Sequence, residues 1–167
     1  MSIERALIGT TDTAAAASVY VEDVFSCYLY TGTGASQTIT NGIDLSTKGG
    51  LVWIKDRSSA ALGSVVFDTV RGSTIFLRTI STSGQSTASD TVTSFNTDGF
   101  SLGSDASTWG VNYTNDKHVS WTFRKQPKFF DIVSYTGTGS ARTISHALGS
   151  TPGMIIVKRT DTTGNWK

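Results

Sequence analysis

The stretch FSCYLYTGTGASQTIT, residues Phe25–Thr40, decides the fold because it places a glycine turn between two strand-like segments. Phe25–Thr31 alternates and contains aromatic residues, so the pattern predicts a β-strand. GTGAS supplies two glycines that can adopt positive φ, which favours a turn. QTIT, Gln37–Thr40, then predicts a second short strand. The stretch is therefore typical of a β-protein built from short strands and turns.

The composition of the whole chain agrees with this interpretation. The 167 residues include 26 Thr, 22 Ser and 17 Gly but only 2 Pro, and just 16% are charged. Threonine suits a half-exposed pleated surface, whereas serine and glycine suit turns. The net charge of +1 argues against nucleic acid as a partner. Glu4 and Arg5 interrupt the start where a secretory signal needs an apolar run, and no stretch is apolar enough to insert into a membrane.

The opening motif occurs twice. Tyr30–Thr40 and Tyr135–Ser145 share seven of eleven residues, beginning with YTGTG in both copies. The match resumes between Leu45–Lys55 and Leu148–Lys158, where a turn is followed by four apolar residues and a lysine. This indicates a duplicated structural unit of about 105 residues. We expect an N-terminal arm over residues 1–24, a first unit over 25–126, and the start of a truncated second unit over 127–167. Either the chain is a fragment of a longer protein, which we favour, or the short copy completes itself on a neighbour.

Within the first unit the pattern predicts eight or nine strands and no convincing helix. Further strands are expected at the segments GLVWIKD, SVVFDTV, TIFLRTI, TVTSFN, GFSLGS and HVSWTFRK, with STSGQSTASD as a polar loop. SVVFDTV and TIFLRTI, separated by RGS, are expected to pair as a hairpin. This predicts an all-β fold, an antiparallel β-sandwich of jelly-roll or lectin-like type. Alternation in SVYVEDVFS, Ser18–Ser26, predicts one more strand in the arm, and a disordered leader is the alternative.

The residues that could carry chemistry give weak signals. His118 and His146 lie in different copies with no further histidine or cysteine nearby, so they are expected to be ordinary surface or turn residues. Asn96, Asp98 and Asp105 cluster oxygen ligands around glycines, but the calcium-loop spacing is missing. Four aspartates beside turns are candidates for an acid pair in glycoside cleavage, which would require two of them to converge: Asp44, Asp56, Asp68 and Asp98. We therefore predict no enzyme activity, no cofactor and no metal.

The aromatic residues suggest a binding alternative. Trp109 lies in the loop segment DASTWGVNY with Asn112 and Tyr113 nearby, which is a pattern that can hold a sugar ring. The competing interpretation is a loop aromatic that folds onto its own domain. Trp53 and Trp121 lie in apolar strands and are expected in the core, and Cys27 is expected to be a small buried hydrophobic residue.

Several segments together resemble phage tail-fibre and related virion proteins, especially those of marine phages. The resemblance rests on YTGTG, QTITNGIDL, GGLVWIKDR, FDTVRG, TSFNTDGFSLGSD and SWTFRK, and then on FFDIVSYTGTG and TPGMIIVKR, so it covers Phe25–Lys167. It implies a structural part of a phage particle, located in the virion tail after synthesis in the host cytoplasm. It also implies a homotrimer that contacts other tail or baseplate proteins, with a host glycan or protein met through distal repeats.

The arm is expected to attach the chain to the particle, with strand addition to a partner as the expected mode. Its apolar residues are the candidates for that contact: Ile3, Leu7, Ile8, Val19, Tyr20 and Val21. Three functions therefore compete: a tail-fibre component, a carbohydrate-binding lectin-like module that uses Trp109, and a glycan-cleaving depolymerase.

Overall fold

The computed structural model describes residues 18–167 as a two-sheet antiparallel β-sandwich followed by a segment without strands. Nine strands all lie within the predicted first unit: β1 Phe25–Thr31, β2 Gln37–Thr40, β3 Gly50–Asp56, β4 Val65–Asp68, β5 Gly72–Arg78, β6 Ser86–Thr87, β7 Val92–Phe95, β8 Gly99–Leu102 and β9 Lys117–Arg124. The all-β sandwich expected from the sequence is thus confirmed, and the predicted β4–β5 hairpin forms.

The strands divide unequally between the two sheets. The larger sheet has the order β1-β9-β3-β4-β5-β6, and the smaller has the order β2-β8-β7. The last strand, β9, lies between β1 and β3 and pairs with both over their whole lengths. The last strand of the unit therefore joins two of its first three strands within one sheet.

The core lies between the two sheets, and alternation along β3 shows how a strand contributes to it. Gly50–Asp56 shows a strict buried and half-buried alternation, with Val52 and Ile54 completely buried. These two side chains belong to a continuous cluster with residues from both sheets, including Phe67, Phe76 and Phe100. The aromatic rings of Phe67 and Phe76 contact each other at a centroid distance of 5.6 Å.

Some local predictions were wrong. Ser18–Ser26 is not one strand, because Val21–Asp23 forms a turn of 3₁₀-helix before β1. The Asp23 carboxylate accepts a hydrogen bond from the Tyr20 N–H at 2.8 Å, which closes this turn. The segment STSGQSTASD is not entirely loop, since it contains the short edge strand β6.

Candidate functional site

The YTGTG motif of the first unit is a docking loop for the segment between β8 and β9. The Tyr30 hydroxyl donates to the Val111 carbonyl oxygen at 2.6 Å, and burial raises the pKa of this phenol well above its ordinary value, so it stays a donor. A Cβ at Gly32 would collide with the Tyr113 carbonyl, and one at Gly34 would collide with the Thr114 hydroxyl. Gly32 is required because the backbone of another loop contacts it, whereas Gly34 is favoured also by its φ of 67°.

Asn112, a predicted glycan contact, is completely buried beneath this loop. Its side-chain amide donates to the carbonyl oxygens of Ala35 and Gly103, and its oxygen accepts from the Thr33 N–H and from the Gln37 side chain. These four hydrogen bonds use the bonding capacity of the amide inside the protein. The structure therefore gives Asn112 a structural role in joining two loops.

Trp109 and Tyr113 lie on either side of Asn112 in sequence, and both are only partly buried. The Trp109 ring packs on Phe76 at a centroid distance of 4.7 Å, and the Arg78 guanidinium lies 5.5 Å from its centre. The ring also borders a cavity of about 100 Å³ that is otherwise lined by Arg78, Ser81, Ser83, Gly84 and Ser86. Trp109 thus folds onto its own domain while one edge faces a small polar cavity.

Two of the three candidate calcium ligands, Asn96 and Asp105, make structural hydrogen bonds through their side chains. The buried Asp105 carboxylate accepts the backbone N–H groups of Trp109, Val111 and Asn112. The Asn96 amide bonds to the side chains of Ser94 and Ser101. Within residues 18–167, no cluster of three or more His, Cys, Asp or Glu side chains could hold a metal ion.

Three of the four candidate acid residues accept backbone hydrogen bonds within a turn of their own. Asp56 accepts the N–H groups of Ser58 and Ser59, and Asp68 accepts those of Val70 and Arg71 while also pairing with the Arg71 guanidinium at 2.6 Å. Asp44 accepts the Thr47 N–H at 3.0 Å. The Asp98 backbone carbonyl accepts from Asn41 and Gly42.

His118 corrects another expectation, because it is not a surface residue. It lies in β9 with no solvent exposure, and its ring stacks on that of Tyr30 at a centroid distance of 5.0 Å. Its pairing partner on the neighbouring strand β3 is Asp56. Burial lowers the pKa of this imidazole below its ordinary value, although the nearby Asp56 carboxylate opposes the shift. His146, in the second copy, is exposed.

The outer face of the large sheet is the most unusual surface of the molecule. In β9 the buried polar residues His118, Ser120 and Thr122 point toward the small sheet, so Val119, Trp121 and Phe123 point away from it. This is the reverse of the usual alternation, in which apolar residues face the core. The apolar side of β9 therefore faces outward, where neither sheet of the sandwich lies.

Neighbouring strands extend the same apolar surface. The register places Phe25, Cys27 and Leu29 of β1 on one side of β9 and Leu51, Trp53 and Lys55 of β3 on the other. Leu29 is 59% exposed, and the rings of Trp53 and Trp121 contact edge to face at 6.0 Å. Cys27 and Leu29 are exposed, Val119 is buried among its neighbours, and the other members are half-buried. We call the whole set the outer face: Phe25, Cys27, Leu29, Leu51, Trp53, Val119, Trp121 and Phe123.

Two predictions about this surface were wrong. Trp53 and Trp121 are half-buried on the outer face and do not belong to the core, and Cys27 is exposed. Sequence reasoning also missed Leu29 and Phe123 as surface residues. The sequence HVSWTFR does contain a signal for this arrangement. Polar and apolar residues alternate along it, so in a strand the polar side chains face one side of the sheet and the apolar ones the other.

The joint between the two units is fixed by Asp131. Its carboxylate pairs with the Lys125 ammonium at 2.9 Å and accepts the Ala147 N–H at 2.7 Å. Burial opposes ionisation, but the hydrogen bonds from Ala147 and Lys125 more than offset it, and the pKa of Asp131 lies below its ordinary value. The rings of Phe129 and Phe130 stack on Phe123 at the same joint.

Of the arm residues, Val19, Tyr20 and Val21 are exposed just before the sandwich, whereas Ile3, Leu7 and Ile8 lie outside the described residues. In the described range 18–167, no helix is long and apolar enough to cross a membrane.

The geometry defines a β-sandwich unit with buried polar loops and an apolar outer face. The family model for a domain of unknown function, DUF7483, matches residues 21–167, and the chain belongs to that family. Searches of curated proteins and of solved structures gave no match.

Proposed function

We propose that this chain is a non-enzymatic structural component of a phage particle: the N-terminal, particle-attaching part of a tail fibre that links the tail to host recognition. In this proposal three copies associate, and the assembly contacts tail or baseplate proteins in the virion. The resemblance of the repeated motifs to phage tail-fibre proteins supports the place in the particle.

The apolar outer face is the observation that carries the proposal. Large contiguous apolar patches are rare on monomeric proteins and mark interaction sites. Here the outer face covers the edge strand β1 and its neighbours β9 and β3, and the polar residues of β9 point toward the core. A rotationally symmetric assembly of identical chains would bury the same face on every copy.

The mass of the assembly in solution tests the proposal. Light scattering should give about three times the chain mass of 17.8 kDa. Leu29→Asp should reduce this to a single chain, because Leu29 is already 59% exposed in one copy and the charge would be buried only between copies. Thr38→Asp is the matched control, since Thr38 is an exposed residue of the small sheet. A wild-type chain that is monomeric at all concentrations would contradict the trimer.

Attachment through the arm needs a separate test in particles. Deletion of residues 1–23 keeps the buried Val24, whose carbonyl oxygen accepts the Arg124 N–H, so it should leave the sandwich folded and should abolish incorporation into particles. Particles that still contain the deleted protein would refute the role of the arm.

A carbohydrate-binding module is the second candidate, and the cavity beside Trp109 is the observation in its favour. An aromatic edge together with Arg78 and three serine residues provides one apolar surface and several hydrogen-bonding groups. Retention of the wild-type chain on immobilised glycans, and its loss in Trp109→Ala with the fold intact, would favour this function over the first.

A further inference from the structure

In this sheet order the first three strands of a unit pair only with later strands of that unit. In the first unit β1 pairs with β9, β2 pairs with β8, and β3 pairs with β4 and β9, so the first three strands never pair with one another. The segment 130–167 includes the equivalents of these three strands, at 130–136, 142–145 and 154–158. The topology therefore explains why residues 131–167 contain no strand.

Equivalent side chains have opposite environments in the two units. Tyr30 is 9% exposed, whereas its equivalent Tyr135 is 49% exposed. Val52 is completely buried in β3, whereas its equivalent Ile155 is 70% exposed. An apolar strand sequence is present in the second unit without the layer that buries it in the first.

The glycines of the second YTGTG motif also lack the contacts that their equivalents make in the first motif. Gly139 has a φ of 74°, close to the 67° of its equivalent Gly34, so the turn has formed. Nevertheless, no atom of the described chain lies within 4 Å of a Cβ built at Gly137 or Gly139, whereas the first-unit glycines have no room for one. Gly139 is favoured by its φ alone, but Gly137 has no positive φ, so only a contact like that of the loop before β9 would require glycine there.

One pair of residues in the second unit makes the backbone hydrogen bonds of an antiparallel strand pair. The backbone groups of Val157 and Lys167 exchange two hydrogen bonds of 3.0 Å. Val157 is the equivalent of Ile54, which pairs with Val65 at the start of the β3–β4 hairpin. Lys167 thus stands where Val65 stands in the first unit, with a loop one residue shorter.

We infer that residues 130–167 form a docking surface for the remaining strands of this same repeat, a segment with the sequence pattern of residues 66–125. A β9-type strand would enter between 130–136 and 154–158, a β8-type strand would pair with 142–145, and the loop before β9 would cover Gly137 and Gly139. The inference concerns the repeat itself and does not rest on the proposed function, so either can fail alone.

The experiment extends the full chain by a second copy of residues 66–125, fused directly after Lys167. Amide hydrogen exchange followed residue by residue should show slow exchange at 132–135 and 154–158 in the extended chain and fast exchange at 132–135 in the native chain. A shorter extension, residues 66–116, lacks the β9-type strand and should leave 132–135 in fast exchange. The amides of β1 serve as an internal standard in each protein.

A single substitution provides a second, independent measurement. Ile155→Asp should leave the melting temperature of the native chain unchanged, because Ile155 is exposed there, and should abolish protection of the second unit in the extended chain. Val52→Asp, at the equivalent position, should disrupt the first unit in both proteins. Fast exchange at 132–135 in the full extension, or equal protection with the shorter one, would overturn the inference, as would an Ile155→Asp extended chain that stays protected.

Discussion

The two YTGTG motifs allow the same substitution to be made in two environments. Gly32→Ala in the first unit should destabilise the protein, whereas Gly137→Ala in the second should have almost no effect. The sequence around both glycines is identical, so local propensity cannot distinguish them. Only the contact with the loop before β9 differs between the two sites.

The magnitude follows from the contacts at Gly32. An added Cβ would overlap the Tyr113 carbonyl oxygen and lie 2.8 Å from the Asn112 carbonyl carbon, so the two loops must separate. Separation would disrupt three backbone hydrogen bonds of 2.8–2.9 Å, from Gly32 to Asp116, from Asn115 to Gly32 and from Gly34 to Asn112. At about 1 kcal/mol each, the loss is about 3 kcal/mol, within the range of other overpacking substitutions.

Urea unfolding followed by tryptophan fluorescence measures this difference directly. Gly32→Ala should lower the free energy of unfolding by about 3 kcal/mol, which corresponds to a melting temperature lower by roughly 6–12 °C. Gly137→Ala should remain within about 0.5 kcal/mol of the wild type. A Gly32→Ala protein as stable as the wild type, or equal losses in both variants, would refute the docking-loop explanation of the motif.

Three further predictions concern single side chains. Trp109→Ala should lower the free energy of unfolding by about 3 kcal/mol, because the ring packs on Phe76, and unchanged stability in denaturant would contradict its packing role. Asp131→Asn should speed exchange of the Ala147 amide roughly tenfold at pH 7, as expected for losing about 1.4 kcal/mol from a charged hydrogen bond. Because the pKa of Asp131 is lowered in the folded state, wild-type exchange should approach that of the variant as pH falls below about 4, and a pH-independent difference would count against the carboxylate. Burial lowers the pKa of His118, so wild-type stability should fall as pH drops below about 6.5, by up to about 1.4 kcal/mol per pH unit, and His118→Gln should lack this slope.

Much of the fold could be predicted because its strands carry local signals. The bounds of β1, β2 and β3 agree with the segments read from alternation and apolar runs. The sheet order could not be predicted, because the insertion of β9 between β1 and β3 depends on pairing across more than sixty residues of chain. The turn at Val21–Asp23 was missed because the alternation of apolar residues predicts a strand there and gives no sign of the hydrogen bond between Tyr20 and Asp23.

The candidate site was harder to predict than the fold. Asn112 was interpreted as a surface amide because it follows Trp109 in a polar loop, but burial depends on the YTGTG loop of a distant strand. Trp121 was assigned to the core because large apolar residues are usually buried. In β9 the polar residues face the core and the apolar residues face outward, and only the position of His118 on the inner side reveals this orientation.

The reactivity of Cys27 tests most directly whether the outer face is buried between copies. Cys27 is the single cysteine of the chain and is exposed on β1 beside Trp121 in one copy. Labelling with a maleimide should be slow at concentrations where the chain is associated, and fast on dilution or in the Leu29→Asp variant. Equally fast labelling of the wild type at every concentration would contradict burial of the outer face and the assembly proposed from it.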